Sequence, residues 1–173
     1  MKEVYSNPFL DVDEFDYNNI PHTKVRKKDV VCGIVLDKHT REFVFVEQYR
    51  PVIDEDMVEC VAGHINDNEY GSISIKREVM EEVGYRCDRI YYITNQFTSP
   101  GFTTELIYFY LIIGEHVESG GGVECEGEET TVLKYCINTI KRNTFERVSF
   151  DLKTSYCVNL IKNNYEQYFT LID

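Results

Sequence analysis

A chain of 173 residues fits one domain, or one domain with a small extension, and 43% apolar residues are enough for a packed core and too many for a disordered chain. A formal net charge of −12 repels phosphate backbones and argues against nucleic acid as a partner. A small polyphosphate stays open as a ligand, because bound divalent cations invert the local field.

In chain order, residues 1–28 read as short polar strands and turns, with Asn18-Asn19 as a turn just ahead of Pro21. The opening MKEVYSNPFLDVD lacks the apolar centre of a signal peptide. Apolar runs at 30–36 and 43–46 read as strands joined by a hairpin turn at 38–41, and 57–62 reads as a third strand ending at Gly63. After a loop, 71–83 reads as a helix, with Gly84 placed for a left-handed C-terminal residue. Strands follow at 89–94 and 105–113. A glycine- and acid-rich loop occupies 118–129, and a strand returns at 132–136. Phe150, Lys153, Tyr156, Cys157, Leu160 and Ile161 are spaced for a final helix with a mostly apolar face.

This order predicts an α/β fold with a mixed sheet and helices packed on it. The longest apolar run, 106–113, is too short to cross a membrane as a helix. Cysteines at 32, 60, 87, 125, 136 and 157 make neither a zinc pattern nor a dense disulfide framework, so reduced thiols in a cytoplasmic protein are expected. The histidines at 22, 39, 64 and 116 form no spaced pair and read as surface or structural residues.

The stretch 77–84, REVMEEVG, crowds like charges on one helix. At about 100° per residue, with Glu78 at zero, Glu82 falls near 40° and Glu81 near −60°. Val79, Val83, Met80 and Ile73 fall between about 100° and 220°, so an apolar side is expected to face a core and a carboxylate side to face away. Taken alone, this is the pattern of a solvated amphipathic helix. The wider frame changes the reading. Gly63, Glu69, Arg77, Glu78, Glu81, Glu82 and Gly84 match, in register, the seven fixed letters of the Nudix box, G-x5-E-x7-R-E-U-x-E-E-x-G-U with U aliphatic. At roughly one in fifteen per position the chance of this at a given start is about 10⁻⁸. The one departure is the final U, here Tyr85, whose ring can still pack against the sheet.

The chain therefore resembles the Nudix hydrolases, which implies their α/β/α sandwich around a mixed central sheet. The resemblance covers about 24–165. Gly63 lets the loop turn close to the site, and Glu69 can return to Arg77. The resemblance implies Glu78 and Glu82 as main metal ligands with Glu81 assisting, the carbonyl of Ala62 as a further ligand, and Glu81 and Arg77 among the catalytic residues. The expected cofactor is Mg²⁺, with Mn²⁺ as the alternative. It further implies 1–28 as strands of a homodimer-forming extension to a domain spanning 29–173.

Elements outside the box resemble the branch acting on ADP-ribose and GDP-mannose. VEQYRP at 46–51 carries Arg50, whose fork suits a diphosphate. ECVAG at 59–63 resembles the strand entering the box, with Glu59 among the implied substrate-binding residues. SPGFTTE at 99–105 resembles the S-P-G-x-x-x-E element, with Glu105 a ligand to sugar or metal. GGGVECEGEE at 120–129 resembles the branch's acidic loop, which places the water-activating base at Glu126 or, second, Glu128, and leans toward the GDP-mannose type. The implied reaction is hydrolysis of a nucleoside diphosphate sugar to a nucleoside monophosphate and a sugar phosphate. The rival readings are a Nudix (d)NTP or dinucleotide polyphosphate pyrophosphohydrolase, a non-catalytic nucleotide sensor, and an RNA-decapping role that the acidic balance opposes.

Overall fold

The computed structural model describes residues 1–117, 130–145 and 149–172. The first three strands, β1 (Lys2–Ser6), β2 (Leu10–Tyr17) and β3 (Ile20–Lys27), form an antiparallel sheet of their own. Asn18 and Asn19 have φ of 53° and 61°, the mirror-image turn that matches the twist of a two-residue hairpin.

A seven-stranded sheet follows. Its strands are β4 (Val30–Asp37), β5 (Phe43–Arg50), β6 (Glu55–Glu59), β7 (Val61–His64), β8 (Tyr85–Phe97), β9 (Leu106–His116) and β10 (Thr130–Tyr135). The order along its main path is β10-β5-β4-β9-β8. β4 and β9 run parallel and the other neighbours antiparallel, so the sheet is mixed. The β4–β5 turn is closed by Asp37, whose Oδ1 accepts from the amides of His39 (2.9 Å) and Thr40 (3.1 Å).

Both faces of this sheet are covered, and alternation along the strands divides the core in two. Cys32, Ile34, Leu36, Phe43, Phe45, Phe109 and Leu111 face one side, where they meet Ile140 of α2 (Ile137–Arg142) and Val158 and Ile161 of α3 (Leu152–Thr170). Val31, Val35, Val44, Val46 and Ile112 face the other and meet Ile75, Val79 and Val83 of α1 (Gly71–Val83). Each fully buried aliphatic side chain contributes about 1.5–3 kcal/mol. The result is the expected α/β/α sandwich, and no helix among the described residues is long and apolar enough to cross a membrane.

Three differences from the sequence reading have local causes. The expected strand 57–62 is two strands, because at Cys60 the chain changes partner: β6 pairs with β5 and β7 with β4. β8 runs for 13 residues, and two register shifts break the alternation by which a long strand is recognised. α3 continues to Thr170, and α2, only six residues long, was too short to show a period.

Candidate active site

α1 ends as its sequence requires: Gly84 has φ 67° and its amide donates to Met80 O at 3.0 Å. Its face, however, is turned from the one hydropathy suggests. The buried residues are Ser74, Ile75, Glu78, Val79, Glu82 and Val83, while Ile73 is 54% exposed. Glu78 (9% exposed) and Glu82 (6%) thus lie on the side that meets the sheet, not opposite the core. Hydrophobicity counts a carboxylate as outward-facing, and here two of them are drawn inward.

Gly63 on β7 makes room for this. A Cβ at that position would stand 2.0 Å from both Cδ and Oε1 of Glu78, so the carboxylate occupies the space a side chain would need. Arg77 collects the remaining charges. Its Nη1 reaches Glu78 Oε1 at 2.8 Å and Glu81 Oε2 at 3.0 Å. Its Nη2 donates to Glu69 Oε2 at 3.3 Å, Ser74 Oγ at 3.3 Å and the carbonyl of His64 at 3.1 Å. Partial burial works against the Arg77 charge, but Glu69, Glu78 and Glu81 outweigh it and hold its pKa above the ordinary value. The Arg77 contact is also the main cause that holds the Glu69 carboxyl below the usual range. Glu69 Oε2 accepts from the amide of Asn66 as well (3.1 Å), which fixes the loop before α1 on the helix.

Beside Gly63 opens a cavity of about 640 Å³, within the range of small-molecule sites. Ala62, Gly63 and His64 border it, as do Arg50, Lys27, Glu105 and Lys153. Arg50 is held by Glu59 through Nε–Oε1 (2.5 Å) and Nη2–Oε2 (2.9 Å). Glu59 is 2% exposed and also accepts from Lys153 Nζ at 2.5 Å. Burial opposes its charge, but Arg50 and Lys153 keep the carboxyl below the usual range. Lys153 is further tied to Asp151, the residue that caps α3 by accepting from the Thr154 amide at 2.8 Å. Glu105 pairs with Lys27 of β3. The turn at 99–103 is stitched to that strand, with the Val25 amide on Phe102 O (2.7 Å) and the Thr104 amide on Val25 O (3.0 Å).

Tyr85, the departure from the box, is fully buried and its hydroxyl donates to Asp37 Oδ2 at 2.6 Å. Lys134 Nζ reaches the same oxygen at 3.2 Å. Burial pushes Asp37 upward, but Tyr85, the loop amides and Lys134 bring it down to about 2.

Of the site residues singled out in the sequence, Ala62, Arg50 and Glu105 line the cavity; Glu78 touches it through Gly63, Arg77 and Glu81 join Glu78 on α1, and Glu59 stands behind Arg50. Glu82 is buried on the same helix, one turn on from Glu78. Glu126 and Glu128 lie outside the described residues. Sequence reasoning missed Lys27, Asp151 and Lys153. Lys153 meets Glu59 across 94 positions, and only the Asp151 cap, before an apolar helical period, marked where its element begins.

The candidate donors here are all oxygens: the Glu78 carboxylate that stands at Gly63, and those of Glu81 and Glu82 on the same helix. That set suits a hard divalent cation better than a soft one. The comparisons agree with the geometry. The family model described as the NUDIX domain matches residues 26–144. The chain is 26% identical over 159 residues to a methanol dehydrogenase activator of Bacillus methanolicus, covering 88% of this chain and 84% of that protein. It is 24% identical over 166 residues to an ADP-ribose pyrophosphatase of Bacillus subtilis, covering 93% and 89%. To a GDP-mannose pyrophosphatase of Cronobacter sakazakii it is 28% identical over 175 residues, covering 88% and 90%.

Proposed function

Because this chain belongs to the Nudix family of pyrophosphohydrolases, we propose that it hydrolyses the diphosphate bridge of a nucleoside diphosphate sugar of the ADP-ribose or GDP-mannose type, with Mg²⁺ as the cation. One observation carries the reading: the inward-turned carboxylate of Glu78 and the cavity meet at a single backbone point, Gly63. In this reading Glu78, Glu82, Glu81 and the carbonyl of Ala62 hold the cation. When bound, such an ion neutralises phosphate charge and makes a water more acidic.

The protein's own groups divide the remaining work. Arg77 holds Glu78 and Glu81 in place and fixes the loop that carries Glu69. Glu59, itself held by Lys153, grips the Nε–Nη2 edge of Arg50 and so orients the guanidinium, which in this reading meets a phosphate. Lys27 and Glu105 bind the sugar end. Glu126, or in second place Glu128, takes the proton from the attacking water. The three N-terminal strands form a dimerisation extension, which the exposed Val4, Tyr5 and Tyr17 on that sheet and Phe9 in its first turn support. The relatives that carry pyrophosphatase names support the substrate class.

The test is a panel of ADP-ribose, GDP-mannose, diadenosine polyphosphates and nucleoside triphosphates, each with Mg²⁺. Release of AMP or GMP from a nucleotide sugar is expected. Binding without turnover of any member would overturn the proposal in favour of a nucleotide sensor. Turnover of triphosphates alone would move the substrate class. Glu126→Gln and Glu128→Gln then separate the two candidates for the base, since only one should cut the rate by orders of magnitude while cation binding survives.

A further inference from the structure

Three thiols that no sequence motif connects meet between the sheet and α3. Cys32 lies on β4, Cys60 at the break between β6 and β7, and Cys157 on α3. Each is 1% exposed or less, and their sulfur atoms all lie within 4.8 Å of one another. Cys32 Sγ and Cys157 Sγ stand 3.7 Å apart. The five described cysteines are free thiols, so none of the three is tied up in a disulfide.

Two sulfurs bound to one ion at about 2.3 Å in tetrahedral directions stand about 3.8 Å apart. One edge of the triangle is therefore already at a coordination distance, and small side-chain rotations close the other two. Sulfur is a soft donor, the opposite of the oxygen set on α1, so the two places select different metals. The surroundings are apolar, with Ile34, Val58, Phe109 and Ile161 in the same core cluster. The Cys157 and Cys60 thiols and, to a lesser degree, the Lys153 ammonium favour negative charge on Cys32 against its burial.

We propose that Cys32, Cys60 and Cys157 form a site for a soft, thiophilic metal ion of the zinc, cadmium or copper(I) class, distinct from the hard-cation site on α1. Binding of a divalent ion replaces three S–H protons, which pass to solvent, and leaves one net negative charge beside Lys153. The site ties α3 to β4 and to the break between β6 and β7, and two of its members neighbour cavity residues in the chain: Cys157 follows Tyr156, which lines the cavity, and Cys60 follows Glu59, the partner of Arg50.

The test uses the full chain, reduced and held in excess Mg²⁺ to fill the oxygen donors, titrated with Cd²⁺. Expected are an ultraviolet thiolate-to-metal absorption that saturates at one equivalent and a rise in Tm. Both disappear in Cys157→Ala and persist in Cys136→Ser and Cys87→Ser. Because Cys157→Ala can fail to fold, ¹¹³Cd NMR of the unaltered chain supplies a second reading, and a resonance in the sulfur-rich range is expected. A resonance typical of oxygen or nitrogen ligands, an absorption that survives in a folded Cys157→Ala, or no saturable absorption would each overturn the proposal. The last result is that of a trio serving only as small apolar packing.

Discussion

Gly63→Ala puts the central contact of the site to a direct test. The added Cβ would meet Glu78 at 2.0 Å, and ordinary van der Waals contact begins at 3.4 Å, so the carboxylate or the backbone must retreat by about 1.4 Å. The carboxylate is the far end of a flexible side chain and gives way first. Gly63 does not have a positive φ, so alanine adds no backbone strain there and restricts the unfolded chain slightly. The stability of the cation-free protein should therefore stay within about 1 kcal/mol of the parent. Catalysis should not: displacement of a catalytic constellation by about 1 Å costs on the order of 100-fold, or about 2.7 kcal/mol of transition-state stabilisation. The assay is kcat/KM on the best nucleotide sugar at saturating Mg²⁺, with urea unfolding without metal as the control. A folded variant that keeps its rate within threefold would show that the position of Glu78 against β7 is not what the reaction requires.

Further outcomes follow from the polar contacts. Arg77→Lys keeps one positive charge but cannot reproduce a planar fork reaching Glu69, Glu81, Ser74 and the His64 carbonyl; hydrogen exchange at the Asn66 amide should accelerate at least tenfold while exchange in the core of β9 is unchanged. Glu59→Gln leaves two cations facing a neutral amide and should cost about 2–3 kcal/mol in urea unfolding, the lower side of buried-pair values because Arg50 is 40% exposed. Asp37 has a folded-state pKa of about 2 against an ordinary 3.8, so its contribution is fully present above about pH 4 and is lost as pH falls toward 2. Tyr85→Phe removes one of its donors, raises that folded pKa, and should make the Asp37-dependent loss of stability between pH 4 and 2 shallower, as read from urea midpoints across that range.

What could be read from the sequence was local. Gly63, Glu69, Arg77 and Gly84 lie within 22 positions of one another, and the loop, the helix and its end follow from their spacing. The strands β4, β5 and β9 were legible because apolar runs buried on both faces stand out even without alternation. What escaped needed contacts distant in the chain. Nothing near Cys60 announces that the chain changes partner there, because the choice between β5 and β4 is made by strands that lie elsewhere. Lys153 became part of the cavity through Glu59, and Cys157 joined Cys32 through the docking of α3. The face of α1 was misjudged for a different reason: a hydropathy wheel cannot anticipate a glycine on a neighbouring strand that admits a carboxylate.

The partner exchange at Cys60 has a consequence for how such a protein can diversify. β4 and β5 pair with each other only at Val35–Val44 and Leu36–Phe43 before each takes a different neighbour. Beyond that short seam the sheet forks, and the turn from Arg50 to Asp54 caps one prong while the other ends at His64. Insertions or swaps at the tip of the first prong can reshape the rim of the mouth while the parallel β4–β9 ladder keeps its pairing. A library confined to 51–54 should accordingly retain folding in most members, and altered substrate preference should appear among them without loss of the scaffold.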